Sequence, residues 1–132
     1  MDSNNYNTFI IEGELDLSGD IKSLINNDEN IVSDYCFYKL FSGCDAIYKI
    51  NGLMLTSTKM GKYCYAYMFE NCSNLNGNFQ IWMSALAESC CEGMFKNCIS
   101  LTKSPELNAY YLQPSCYKEM FSGCSSLSEI NV

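Results

Sequence analysis

An α/β solenoid is the fold class this 132-residue chain predicts: a right-handed coil of short helices and short parallel strands, about four repeats under an N-terminal cap. Three observations carry that expectation. A nine-residue stretch bounded by cysteines returns four times, as CFYKLFSGC at 36–44, CYAYMFENC at 64–72, CCEGMFKNC at 90–98 and CYKEMFSGC at 116–124. Its first cysteines, Cys36, Cys64, Cys90 and Cys116, lie 28, 26 and 26 residues apart, a period in which each copy is one unit stacked on the next. The residue before each second cysteine is always Gly or Asn (Gly43, Asn71, Asn97, Gly123), the two residues that best tolerate the left-handed backbone closing a helix.

The elements follow in chain order. Residues 1–31 lack the repeat and are expected to form the cap. TFIIEGELDL (8–17) reads as a strand. DIKSLINN (20–27) reads as a short helical turn with Ile21, Leu24 and Ile25 inward and Asn26–Asn27 as its stop, and NNDEN (26–30) as a turn. Residues 32–132 hold the repeats, and cap and repeats make one structural domain. At about 100° per residue, the cysteine, the residue after it and the Met-Phe pair of a copy fall within an arc of about 140°, so each copy is expected to be a short amphipathic helix. Met60, Leu86 and Leu112, four residues ahead of a cysteine, extend the stripe, and Pro114 suits a first helical turn. Ile47, Leu75, Leu101 and Leu127, then Leu53, Ile81 and Leu107, mark a short inward-facing strand after each helix.

The core expected on this basis comprises Cys36, Cys44, Cys64, Met68, Phe69, Cys72, Cys90, Met94, Phe95, Cys98, Cys116, Met120, Phe121 and Cys124. Nine cysteines leave at least one unpaired in a monomer, and the same register in every copy suits a ladder of reduced thiols acting as small core residues. Cys91 is the extra thiol, at a place where other copies have an aromatic. Zinc ligation needs closely spaced pairs converging on one point, which a gap of seven residues does not supply, so no metal and no cofactor are expected.

Composition narrows the function classes. A net charge of −7 with no arginine argues against nucleic acid and anionic membranes. There is no histidine, which removes the commonest general base; the carboxylates are scattered and no phosphate-cradling loop occurs, so no catalytic residues are expected and the chain is not expected to be an enzyme. The N-terminus shows no basic start and no long apolar run, which predicts synthesis in the cytoplasm without a signal peptide and no membrane insertion.

What remains is a surface for other proteins. Four residues after the second cysteine stand Tyr48, Asn76, Thr102 and Ser128; ten after it stand Met54, Trp82 and Asn108; Tyr110 and Tyr111 add aromatic surface. Tyr48, Met54, Asn76, Trp82, Thr102, Asn108, Tyr110 and Tyr111 are the candidate partner-binding set. Phe79 is expected to lean to the core. The last copy stops short of its final apolar position, so Cys124, Leu127 and Ile130 are expected to be covered at an open end by another subunit, itself included, or by further chain.

CYAYMFENCSNL and CYKEMFSGCSSL, with LTKSPEL (101–107) between copies and SGDIKSLI (18–25) ahead of the first, resemble the BspA-like leucine-rich repeats of Bacteroides surface proteins and their phages. The resemblance spans about 36–132. It implies a leucine-rich-repeat-like coil used in adhesion and protein contact, with no family-wide catalytic residues. Together these readings predict a non-catalytic structural or protein-binding module, a subunit of a larger assembly such as a phage virion or tail, or else a fragment of a bacterial cell-surface adhesin that binds host protein or glycan.

Overall fold

The computed structural model describes residues 2–6, 8, 10–20, 31–55, 59–77, 80–83, 85–107, 109 and 111–130. Five strands occur among them: β1 (Leu15–Asp20), β2 (Ile31–Val32), β3 (Ile47–Leu55), β4 (Lys59–Met60) and β5 (Ile81–Met83). They form two small parallel sheets, ordered β1-β3-β5 and β2-β4. The α/β solenoid is overturned by this inventory. No helix occurs among the described residues, and strands pair over short stretches only.

Each expected helix is instead a run of tight turns. In the first copy alternate N–H groups, those of Cys36, Tyr38, Leu40, Ser42 and Cys44, donate to the carbonyl three residues back. The others, Tyr35, Phe37, Lys39, Phe41 and Gly43, donate to Lys62, Cys64, Ala66, Met68 and Glu70 of the next copy, at 2.7–3.1 Å. The second copy bonds to the third, and the third to the fourth, in the same way. An α-helix would spend every one of these donors on its own carbonyls.

The backbone shows why no helix can form. Every fourth residue has positive φ: Tyr35 (56°), Lys39 (55°) and Gly43 (74°), then Tyr63, Tyr67 and Asn71, then Ser89, Gly93 and Asn97, then Ser115, Glu119 and Gly123. The left-handed conformation expected at the Gly/Asn position is present, but it closes a turn run rather than a helix. Two inward residues followed by two outward ones, repeated with a period of four, cannot be told from a period of 3.6 within nine residues. The apolar pairs 36–37 and 40–41 fit both.

The interior holds the expected side chains. Cys64, Met68, Phe69, Cys72, Cys90, Met94, Phe95 and Cys98 are fully buried, and Cys36, Cys44, Cys116 and Met120 nearly so. Phe121 and Cys124 are half-buried against that core. Phe41, Phe69, Phe95 and Phe121 stack ring on ring at 5.6, 5.5 and 5.8 Å between centroids. Phe37 stacks on Tyr65 at 5.5 Å. Ile47, Leu53, Leu75, Ile81 and Leu101 close the sheet side. Leu112, expected on the inward stripe, is exposed instead.

At the N-terminus the strand begins later than expected, at Leu15, and Ile10 is exposed. The expected turn over 21–27, the acidic stretch 26–30 and Phe79 lie outside the described residues.

Candidate interaction surface

The exposed side of β3 and β5 gathers the aromatic candidates. β3 buries Ile47, Ile50, Leu53 and Leu55 while Tyr48 and Met54 face outward. Pairing with β5 sets Leu53 opposite Ile81 inside and Met54 opposite Trp82 outside. Met54 and Trp82 are 40% and 44% exposed and Tyr48 41%, large apolar area for residues held on a sheet. The Trp82 ring lies over Gly52 (φ 78°), where a Cβ would stand 3.0 Å from its Cζ3 atom. The absence of a side chain at Gly52 thus leaves room for the indole against the strand.

A second row runs across the copies. Asn76 N–H donates to the Tyr48 carbonyl (3.1 Å). The Asn76 side-chain oxygen accepts from both the backbone N–H (3.2 Å) and the hydroxyl (3.0 Å) of Thr102. The Thr102 carbonyl accepts from Ser128 N–H (3.0 Å) and from its hydroxyl (3.3 Å). Tyr48, Asn76 and Thr102 are therefore brought together, in register with Ser128. Tyr111 is highly exposed. Asn108 and Tyr110 lie outside the described residues. At the last copy Cys124 and Leu127 are half-buried and Ile130 is 53% exposed.

Eight of the nine thiols are buried and Cys124 is half-buried. Cys72 donates to the Phe41 carbonyl (3.2 Å), Cys98 to Phe69 (3.1 Å) and Cys124 to Phe95 (3.0 Å). Each carbonyl belongs to the preceding copy, so this cysteine is both a small core residue and a weak donor to a buried acceptor. Burial pushes the Cys72 thiol up to about 12 and raises Cys64 and Cys98 as well. The Cys91 thiol is raised by its contact with Cys90 (3.8 Å between sulfurs) and then by burial. The same contact lowers Cys90; the raised thiols stay protonated and are poor nucleophiles. Among the described residues no group of three or more Cys, Asp or Glu is placed to hold a metal ion, and no helix is long and apolar enough to cross a membrane.

Two features were not among the sequence expectations. Tyrosines gather on the turn side: Tyr35 stacks on Tyr63 (5.0 Å), and Tyr38 meets Tyr6, Tyr35 and Tyr67 edge-on at 5.4, 5.3 and 5.9 Å. The Lys39 ammonium sits 5.5, 5.8 and 5.9 Å from the rings of Tyr6, Tyr38 and Tyr67, within cation–π range. The one available signal was that Tyr35 and Tyr63 both precede a first cysteine. The second feature is an open cleft of about 480 Å³ bordered by Glu12, Glu14, Asp45, Tyr48 and Asn74. Its carboxylates come from segments more than thirty residues apart, which no local pattern reveals.

Comparison with family models, curated proteins and solved structures finds no match to this chain.

Proposed function

We propose that this chain is a non-catalytic structural or protein-binding module that works as a subunit of a larger assembly, a virion or tail particle being the form that suits it best. The observation that carries the reading is the in-register pair Met54–Trp82, exposed on a sheet whose other side is buried. Trp and Met are enriched in the centre of protein interfaces, and an indole already packed on Gly52 loses less freedom on binding than a free one. The reactive groups support the same reading: the thiols are committed to the interior, and Glu92, the most buried carboxylate among the described residues, accepts from the Tyr67 hydroxyl (3.0 Å) and lies 3.7 Å from the Lys118 ammonium. The motif shared with the BspA-like repeats, a family used in protein contact, points the same way.

The test is mass measurement of the native complex isolated from the source cells or particles. The expected result is a complex of defined stoichiometry in which Trp82 is protected from oxidative labelling. Recovery of the chain only as a free monomer, with Trp82 labelled as in the isolated protein, would overturn the proposal.

A further inference from the structure

The inward pair that opens each turn run holds a cysteine and, in three copies, a ring: Phe37, Tyr65 and Tyr117. The third copy has Cys90 and Cys91 there instead. Phe37 stacks on Tyr65 at 5.5 Å, and the N–H bonds from Tyr65 to Cys90 and from Cys91 to Cys116 carry the same register through the third and fourth copies. This column of rings therefore breaks at Cys91. Because both members of the pair are buried, their sulfurs lie together in the interior, 3.8 Å apart.

A third sulfur comes in beside them. Met83, the last residue of β5, brings its thioether to 3.5 Å from the Cys91 sulfur. Thiols and carboxylates alone make no set of three ligands among the described residues; the thioether completes one here. A metal–sulfur bond is about 2.3 Å, so three sulfurs in a plane around one ion stand about 4.0 Å apart. Both observed contacts are close to that spacing. Met83 is only half-buried, which gives an ion a way in from the surface.

A hydroxyl next to the sulfurs is left over. The Tyr117 oxygen is buried and has no hydrogen-bond partner among the described residues. Burial first, and then the thiols of Cys91, Cys116 and Cys90, push its pKa up, so it stands near the pair. A buried donor without an acceptor is costly, and a thiolate at this spot would be that acceptor.

We propose that Cys90, Cys91 and Met83 form a binding site for one soft monovalent metal ion, Cu(I), in the break of the ring column. Thiolate and thioether ligands select Cu(I), whereas zinc takes four ligands drawn from thiolates, imidazoles and carboxylates. Binding exchanges the two thiol protons, which leave to solvent, for the ion, and no electron moves. Cys90, whose pKa the Cys91 thiol lowers, gives up its proton first. The filled centre keeps one negative charge, to which the Tyr117 hydroxyl donates. The site stands whether or not the chain belongs to a larger assembly.

The test titrates Cu(I) into the whole reduced chain, without oxygen, in competition with a chromophoric Cu(I) chelator. The chain is expected to withhold one equivalent from the chelator, and X-ray absorption of the complex is expected to show three sulfurs at about 2.3 Å. Cys91→Tyr restores the ring of the neighbouring copies and is expected to remove the uptake. Met83→Leu keeps both thiols and is expected to leave two sulfurs on a more weakly held ion. Tyr117→Phe keeps the ring and is expected to weaken binding by about 10–100-fold through the lost hydroxyl. No uptake by the wild-type chain, or a bound ion with fewer than three sulfurs, overturns the proposal, and neither result needs a variant to fold. Uptake that is unchanged in Cys91→Tyr, or that takes several equivalents and abolishes the near-ultraviolet signal of the buried rings, puts the ion on other thiols and overturns it too.

Discussion

Phe69→Ala should be among the most damaging single changes in the molecule. The ring is fully buried and lies between Phe41 at 5.6 Å and Phe95 at 5.5 Å. Truncating a buried Phe costs about 3–5 kcal/mol through lost transfer energy and the cavity left behind. Both stacked contacts go with it, each worth about 0.5–1.5 kcal/mol beyond area, which places the loss in the upper half of that range. Phe121 offers the internal control, because it is half-buried and has one stacked neighbour at 5.8 Å. Phe121→Ala should cost about 1–2 kcal/mol. Urea unfolding at neutral pH measures both, with the midpoint shift read at constant slope and at protein concentrations low enough to keep the chain monomeric. A domain of this size has roughly 5–15 kcal/mol in total, so the Phe69 variant is expected to be close to unfolded on warming. Equal losses at the two positions, or less than about 1 kcal/mol at Phe69, would refute the ring column as a load shared unevenly between centre and end.

Three further predictions concern the thiols and the strand surface. Alkaline pH should destabilise the fold. The Cys72 thiol rises from 9.0 to about 12 on folding, and Cys64 and Cys98 rise too. The folded state holds these protons longer, so their stabilisation is full below pH 9.0 and is lost as pH climbs through about 12; a urea midpoint that stays flat from pH 8 to pH 11 contradicts this. Thiol titration should find close to nine reactive groups in denaturant and a slow minority in the native protein; two or fewer in denaturant would mean that the sulfurs are bridged. Gly52→Ala should cost about 1–2 kcal/mol, because the position needs positive φ and the new methyl meets the Trp82 ring. Emission from Trp82, the single tryptophan, should shift as the ring is displaced; an unchanged spectrum and midpoint would place the ring elsewhere.

The inside–outside pattern of this chain was legible because burial repeats with the copies. Cys64, Met68, Phe69 and Cys72 are interior for the reason their spacing implies. The conformation of the same stretch was not. Nine residues hold too few turns to separate a period of four from 3.6, and the decisive information, positive φ at Tyr67 or Glu119, is invisible in residue types that seldom adopt it. Tyr67 is held there by its N–H bond to the Glu92 carbonyl of the next copy, a tertiary cause that local propensity does not encode. Of the candidate surface, Tyr48, Asn76 and Thr102 were found by counting from the second cysteine, and Met54 with Trp82 by counting further. The tyrosine group around Lys39 escaped because Tyr6 and Tyr38, which complete it, have no counterpart tyrosine in the other copies, and the acidic cleft because its carboxylates share no register.

The alternation of bonds within and between copies also dictates how the chain must reach its native state. A helical repeat can begin to order by itself, one turn at a time. Here half of the amides in each turn run find partners only some 25 residues away along the chain, so a solitary copy has little to hold it. Ordering must start with two neighbouring copies closing a loop together, an entropic hurdle that later copies meet one at a time. Refolding should therefore be slow to begin and quick to spread, with the junction of the second and third copies, where the rings are fully enclosed, as its natural seed.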